Sequence, residues 1–396
     1  MALNDILFRP LPLRNITLPN RLVRSATCEG LGLPDGTPRP ELAALYARVG
    51  AAGVGTLITG FCFVSLEGRA MQPAQCGCDT DTKIRAWQDI VSRVKAAAPD
   101  VKLVMQLAHA GRQTLRAMTH TAVVGASSRR SRYFREAVRP LTSIDIARIV
   151  SDFADASHRA QAAGFDGVQV HAAHGYLLHQ FLSPGTNNRR DEWRDGARFL
   201  TAVVEAIQAR CGDTFPVFAK FSAADEDGLI PGDTVQHIRS VETRISAAEI
   251  STGTMEYAFN IIRGAHPIRQ AFEVNPLLRP VPRPLRGLFR RVFLRSVERR
   301  LLPFSENYNL EAATHIATRV RAPVIVVGGF RRAAALRLAL ADSGMAAVSL
   351  CRPFIAEPDL ALRCRNNEEW NSSCTNCNLC TIHCDADRPV RCYRNR

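Results

Sequence analysis

Three side chains able to share one reacting atom fall within six residues. They are His171, His174 and Tyr176, in the stretch Gly164–Pro184, GFDGVQVHAAHGYLLHQFLSP. Two imidazole N–H groups aimed at one point stabilise a developing oxyanion, and a neighbouring phenol supplies a proton. The three-residue spacing of the histidines places them on one side of a helical turn. A plainer alternative is two capping or core histidines beside an amphipathic tyrosine. The tail carries a second pattern, Cys374-x2-Cys377-x2-Cys380-x3-Cys384, with Cys392 beyond it. Thiolates at such intervals wrap one ion or cluster. A bound ion or cluster, zinc included, and unliganded reduced thiols are the readings of that run.

Elements must hold these groups. Phe165–Val170 is an apolar run after Ala-Gly that turns polar at His171, the signature of a buried strand ending in chemistry. Seven further runs read as strands: Arg21–Ala26, Val54–Gly60, Val101–Leu107, Pro216–Phe221, Ala247–Ser251, Pro323–Val327 and Ala346–Leu350. Helical patterns lie between them at Pro40–Ala52, Ile84–Ala98, Ser143–Ala163, Ala197–Ala209, Leu310–Val320 and Arg331–Ala341. Eight strands alternating with helices predict an α/β fold, a (β/α)8 TIM barrel with its site on the loops after the strands. A doubly wound open sheet is the alternative, but no GxGxxG follows an early strand. Each predicted strand ends in a polar residue or glycine: Thr27 and Cys28, Gly60, Gln106 with His109, His171 with His174, Lys220, Ser251 with Gly253, Gly328-Gly329, and Arg352. Glycines after strand seven and an arginine after strand eight are where such barrels seat a phosphate.

Composition narrows the partners. Hydrophobic residues make up 46% of the 396, enough for a large core, and 51 Lys+Arg against 37 Asp+Glu give a formal charge of +14. That balance favours anionic ligands. Nucleic acid is excluded as a partner, because no basic patch is interleaved with aromatic residues. The longest uncharged run, Val49–Leu66, holds four glycines and reads as helix end, turn and strand rather than a transmembrane segment. The N-terminus lacks a signal-peptide core. With twelve cysteines, this places the chain in a reducing compartment, the cytoplasm.

Two segments interrupt the repeat, dividing the chain into a 1–366 barrel and a 367–396 cysteine-rich tail. Within the barrel, 263–309 is a basic, proline-punctuated insertion. Its stretch Leu285–Leu302 has the pattern of a basic amphipathic helix, for a membrane surface, an acidic partner or a lid over the barrel mouth. The lid is the favoured reading.

The chain resembles the old yellow enzyme family of FMN-dependent NADH:flavin oxidoreductases, especially its 2,4-dienoyl-CoA reductase and trimethylamine dehydrogenase branch. The likeness runs from LFRPLPLRNITLPNRLV (Leu7–Val23) to RPFIAEPDL (Arg352–Leu360). It includes QLAHAGR (Gln106–Arg112), HAAHGYLLHQFLSPGTNNRRDEW (His171–Trp193) and VGGF (Val327–Phe330). The resemblance implies that His171 and His174 hold the carbonyl oxygen of an activated alkene and that Tyr176 protonates its α carbon. FMN would be held by Thr27 and Cys28, Gly60, Gln106, His171, Lys220, Gly253, Gly328, Gly329, Cys351 and Arg352, with NAD(P)H as electron donor. It also implies a [4Fe–4S] cluster on Cys374, Cys377, Cys380 and Cys392, with Cys384 as competing fourth ligand, which is either a relict or structural site or takes electrons from a separate electron-transfer partner. Departures are Cys351 where a glycine is usual, the shortened Arg194–Phe199, and Arg244-Ile245-Ser246 without glycine.

The leading reading is therefore an ene-reductase for α,β-unsaturated carbonyl compounds, enones or enoyl thioesters. An amine dehydrogenase or demethylase sending electrons through the cluster is the second. A peripheral membrane or partner-binding protein acting through the insertion is the third.

Overall fold

The short, β-branched runs pair in register into one closed sheet. In the computed structural model, which describes residues 5–386 and 388–394, eight parallel strands form it. Residues 1–4, 387 and 395–396 of the barrel and tail ranges read from sequence lie outside the described residues. The strands are β1 (Leu22–Arg24), β2 (Thr56–Ile58), β3 (Lys102–Ala108), β4 (Gly167–Ala172), β5 (Val217–Ser222), β6 (Ala247–Ser251), β7 (Val324–Val327) and β8 (Ala347–Leu350). Pairing of β1 with β8 closes the ring, Val348 lying opposite Leu22. One helix follows each strand: α1 (Glu41–Ala51), α2 (Ile84–Ala97), α3 (Ser143–Ala162), α4 (Gly196–Cys211), α5 (Pro231–Arg239), α6 (Leu310–Ala317), α7 (Ala333–Asp342) and α8 (Leu360–Asn366). This is the (β/α)8 barrel.

Period-two alternation stacks the barrel interior in layers. The floor is apolar: Val23, Ile58, Val104, Phe218, Ala247, Ile325 and Ala347 form one cluster with Leu11 and Leu18. Those two leucines come from an antiparallel ribbon, Leu11–Leu13 with Ile16–Leu18, which stoppers the bottom. Two residues further along the strands the interior turns polar, with Ser25, Gln106, Lys220 and Glu249, all buried. Outside the sheet, helix faces bury Leu42, Tyr46, Trp87, Ile149, Phe153, Val203 and Ile238 against the strands. Helix α3 starts with a capping box in which Thr142 Oγ1 accepts from the Asp145 N–H at 3.2 Å, a device worth about 1 kcal/mol.

Two additions meet over the mouth. Between β6 and α6 the chain forms helical turns at Ala258–Ile261 and Ile268–Val274 and a helical run over Arg286–Glu298. The tail ends in a short helix, Leu379–Cys384. Asn378 joins the two, its Nδ2 donating to the Ile262 and Ala265 carbonyls at 3.0 and 2.9 Å. Asp385 continues the seam, accepting from Gln72 at 3.0 Å and Asn275 at 3.2 Å. The Val390 N–H adds a bond to the Glu29 carbonyl at 2.7 Å. The tail is thus part of the barrel's roof rather than a separate body. No helix of the described residues is long and apolar enough to cross a membrane.

Candidate active site

Strand register assembles the floor of the site. Gln106 lies opposite Gln169, and His171 opposite Lys220, which lies opposite Glu249. Gln106 Nε2 donates to Gln169 Oε1 at 2.7 Å, and Gln169 Nε2 to Glu249 Oε2 at 2.9 Å. Glu249 also accepts from Ser25 Oγ at 2.6 Å and pairs with Lys220 at 3.3 Å. Burial pushes the Glu249 carboxyl up, and the Lys220 ammonium with these hydrogen bonds more than reverses it, leaving the group ionised. The Lys220 charge is therefore already balanced inside the barrel. Ser25, Gln169 and Glu249 were not singled out in the sequence. Their signal was a polar residue at an inward, period-two position of an otherwise apolar strand.

His171, His174 and Tyr176 stand above this layer. The β4 chain leaves the sheet through left-handed His174 and Gly175, with φ of 63° and 80°, which folds Tyr176 back over the strand end. A side chain at Gly175 would be strained in that conformation and would press on Gln113 and Thr254. The His171 and His174 rings meet edge-on at 5.1 Å, and the His171 and Tyr176 rings lie 4.9 Å apart. His171 Nδ1 accepts from the Ala173 N–H at 3.4 Å, which leaves the ring proton on Nε2. His174 Nε2 is held by Ser251 Oγ at 2.7 Å.

Burial lowers the pKa of both histidines, and nearby Lys220 lowers them further, so both are neutral imidazoles at neutral pH. Burial likewise holds the Tyr176 phenol protonated. Among the described residues nothing hydrogen-bonds its hydroxyl. Phe61 packs 5.2 Å from the Tyr176 ring and fixes its tilt.

These groups line a cavity of about 970 Å³, at the upper end of the range for small-molecule sites. Thr27, Cys28, Gln106, Lys220, Gly328, Gly329, Cys351 and Arg352 share its wall with the two histidines and Tyr176. The residues present fit a flavin mononucleotide. Amide and ammonium groups at the floor suit the polar edge of its ring system, and a glycine pair with an arginine suits a phosphate. Arg352 also holds the roof, its Nη1 donating to the Ile262 and Arg263 carbonyls at 3.1 and 2.9 Å.

Two expected ligands lie elsewhere. The Gly60 N–H donates to buried Glu29 at 3.0 and 3.1 Å, and a Cβ there would collide with that carboxylate, so this glycine serves the protein's own packing. Gly253 is also outside the cavity wall. Its N–H bonds the Ala224 carbonyl at 2.8 Å, and its carbonyl accepts from Ser222 at 2.9 Å.

The metal expectation finds no support in the arrangement of the described residues. Among the described residues no group of three or more His, Cys, Asp or Glu side chains is placed to hold an ion. Cys374, Cys377, Cys380 and Cys392 are not gathered as a ligand set. Cys384 turns away to donate to the Cys28 carbonyl at 3.2 Å. The spacing lets these thiols approach one another, but loop residues direct them elsewhere, as when Cys374 donates to Asn376 at 3.8 Å.

A closed barrel with its ionisable groups at the carboxyl ends of the strands defines a (β/α)8 enzyme. The chain belongs to the NADH:flavin oxidoreductase / NADH oxidase family, whose model matches residues 6–270, and it is an FMN-dependent NAD(P)H oxidoreductase of the old yellow enzyme type. It is 27% identical to the 4,4'-dithiodibutanoate disulfide reductase of Rhodococcus erythropolis, over 94% of this chain and 92% of that one. It is 31% identical to the NADPH dehydrogenase of Geobacillus thermodenitrificans, over 64% of this chain and 74% of the relative. The structure of a 2-naphthoyl-CoA reductase complexed with 2-naphthoyl-CoA superposes with a TM-score of 0.81 at 20% identity, covering 99% of this chain and 57% of that one.

Proposed function

We propose that the protein reduces the C=C bond of α,β-unsaturated carbonyl compounds, enones or enoyl thioesters, with electrons from NAD(P)H. The carrying observation is the convergence of two neutral imidazoles and one unpartnered phenol on the cavity above the Gln106–Lys220 floor. The wall residues would hold FMN, which would supply the hydride for the β carbon with NAD(P)H as its reductant. His171 Nε2–H and a ring nitrogen of His174 donate to the carbonyl oxygen, polarising the alkene and stabilising the charge that gathers there. Tyr176 gives its proton to the α carbon. Phe61 and the buried wall exclude water from that transfer. NAD(P)H would supply both electrons by way of the flavin, so the reading does not require a separate electron-transfer partner. All twelve cysteines are free thiols, which supports a reducing compartment such as the cytoplasm.

The test is an absorption spectrum of the purified protein followed by anaerobic turnover of 2-cyclohexenone with NADH and with NADPH. Flavin bands and formation of cyclohexanone support the reading. Flavin without turnover of this or any larger enone overturns it.

A further inference from the structure

The insertion is the part of the chain that this reaction leaves unexplained. Its helical run places Phe289, Phe293, Leu294 and Val297 on the wall of the cavity that the histidines and tyrosine also line. At its C-terminal end stands Arg300, whose Nη1 donates to Tyr257 Oη at 2.9 Å. From the loop after β3, Arg132 Nη1 donates to the same oxygen at 2.7 Å. All three side chains line the cavity. We propose that Arg132, Tyr257 and Arg300 form a clamp for the carboxylate of an otherwise apolar substrate, whose body lies beneath the insertion helix. The proposal rests on the ene-reductase reading and narrows its substrate class.

Donor counting carries it. Tyr257 is buried and its oxygen accepts from two guanidiniums, yet among the described residues nothing accepts its own proton. The two donating nitrogens are no more than 5.6 Å apart, because each bonds the same atom. An anionic oxygen placed between them would receive the Tyr257 O–H and an N–H from each arginine, a charge-assisted set suited to a planar carboxylate.

Charge balance agrees. Arg112 pairs with Glu256 at 2.8 Å and Asp227 at 3.4 Å, and Arg129 pairs with Asp227 at 2.6 Å. Arg132 reaches the same two carboxylates only at 3.4 and 3.8 Å. Four guanidiniums, Arg300 included, face two carboxylates and leave two positive charges at the mouth. The other acids on the cavity wall are engaged elsewhere: Glu298 pairs with Arg290 at 2.8 Å, and Asp385 accepts from Gln72 and Asn275 at 3.0 and 3.2 Å. Among the described residues no carboxylate pairs with Arg300. Like charges that converge without a counterion are costly unless an anion completes them.

The experiment uses the flavin-loaded enzyme with 4-(3-oxobut-1-enyl)benzoate and its methyl ester. Binding of their saturated analogues, followed by calorimetry, gives a readout independent of turnover. The acid is expected to bind and to be reduced with kcat/KM about 10- to 100-fold above the ester. Arg300→Met should erase that preference, and Arg132→Gln should reduce it. Equal binding of acid and ester overturns the clamp, as does a preference that survives Arg300→Met. A rise in KM for NAD(P)H in Arg300→Met, with the acid preference intact, would assign the charge to nucleotide phosphates and also overturn it. If the acid binds in an Arg300-dependent manner but neither compound is reduced, the clamp stands and the ene-reductase reading falls.

Discussion

The end of β4 and the C-terminal tail both carry closely spaced reactive side chains, yet only the first is assembled. His171, His174 and Tyr176 are fixed by a strand in register with two neighbours, a left-handed turn and the Ser251 hydroxyl. The tail cysteines lie on a loop and a six-residue helix, where Cys374 bonds the Asn376 amide and Cys384 the Cys28 carbonyl, and no three of the described thiols are placed to hold an ion. A scaffold built for other reasons, closure of the barrel, positions the first set. Spacing is therefore a strong guide to geometry on a strand end and a weak one on a tail.

The largest expected effect probes the assembled side. Tyr176→Phe should slow alkene reduction about 10²- to 10⁴-fold while NAD(P)H oxidation by oxygen persists. Undiminished enone turnover would remove Tyr176 as the acid. Next comes the buried scaffold beneath it. Glu249→Gln leaves Lys220 without a counter-charge and should cost about 3–5 kcal/mol in chemical denaturation. A loss near zero would mean that the floor network does not rigidify the site. His171→Ala should weaken binding of 4-hydroxybenzaldehyde, whose phenolate mimics the enolate oxygen, about 10- to 100-fold. Unaltered binding would separate His171 from the oxyanion role.

Two smaller effects probe the tail. Burial pushes the Asp385 carboxyl up to about 6. With a folded pKa above the unfolded value near 3.9, the folded tail binds the proton more tightly than the released one. Docking is then firmest in acid and weakens as pH rises from about 4 through 6. Hydrogen exchange in 379–394 should accordingly speed up between pH 5 and 7 beyond the intrinsic rate change, and Asp385→Asn should abolish the excess. The smallest effect is that of Cys392→Ser, expected to shift stability by less than about 0.5 kcal/mol. A several-fold larger loss, with iron or zinc released on unfolding, would place the tail alongside β4 as an assembled site.

Much of the fold was readable in the sequence. All eight strands lie where apolar runs end in polar residues, because a parallel strand buried on both faces cannot be written any other way. Helices α5 and α8 were passed over because Pro231–Arg239 and Leu360–Asn366 are short, the former mostly polar. The reactive triplet was legible for the same reason as its strand. The Gln106–Gln169–Glu249–Lys220 chain was legible only at its ends, since pairing across strands more than 60 residues apart depends on register. Gly60 and Gly253 were assigned to the cofactor by position along the strand ends. Their glycines answer instead to Glu29 and to the Ala224 turn.

The helix that roofs the cavity is a single excursion of the chain between β6 and α6, and it shares no residue with the strand ends beneath it. Under the proposed reading, guest selection falls mainly to the one and the reaction to the other. A replacement graft between Ser251 and Leu310 could change what enters the barrel while the chemistry beneath it stays as it was.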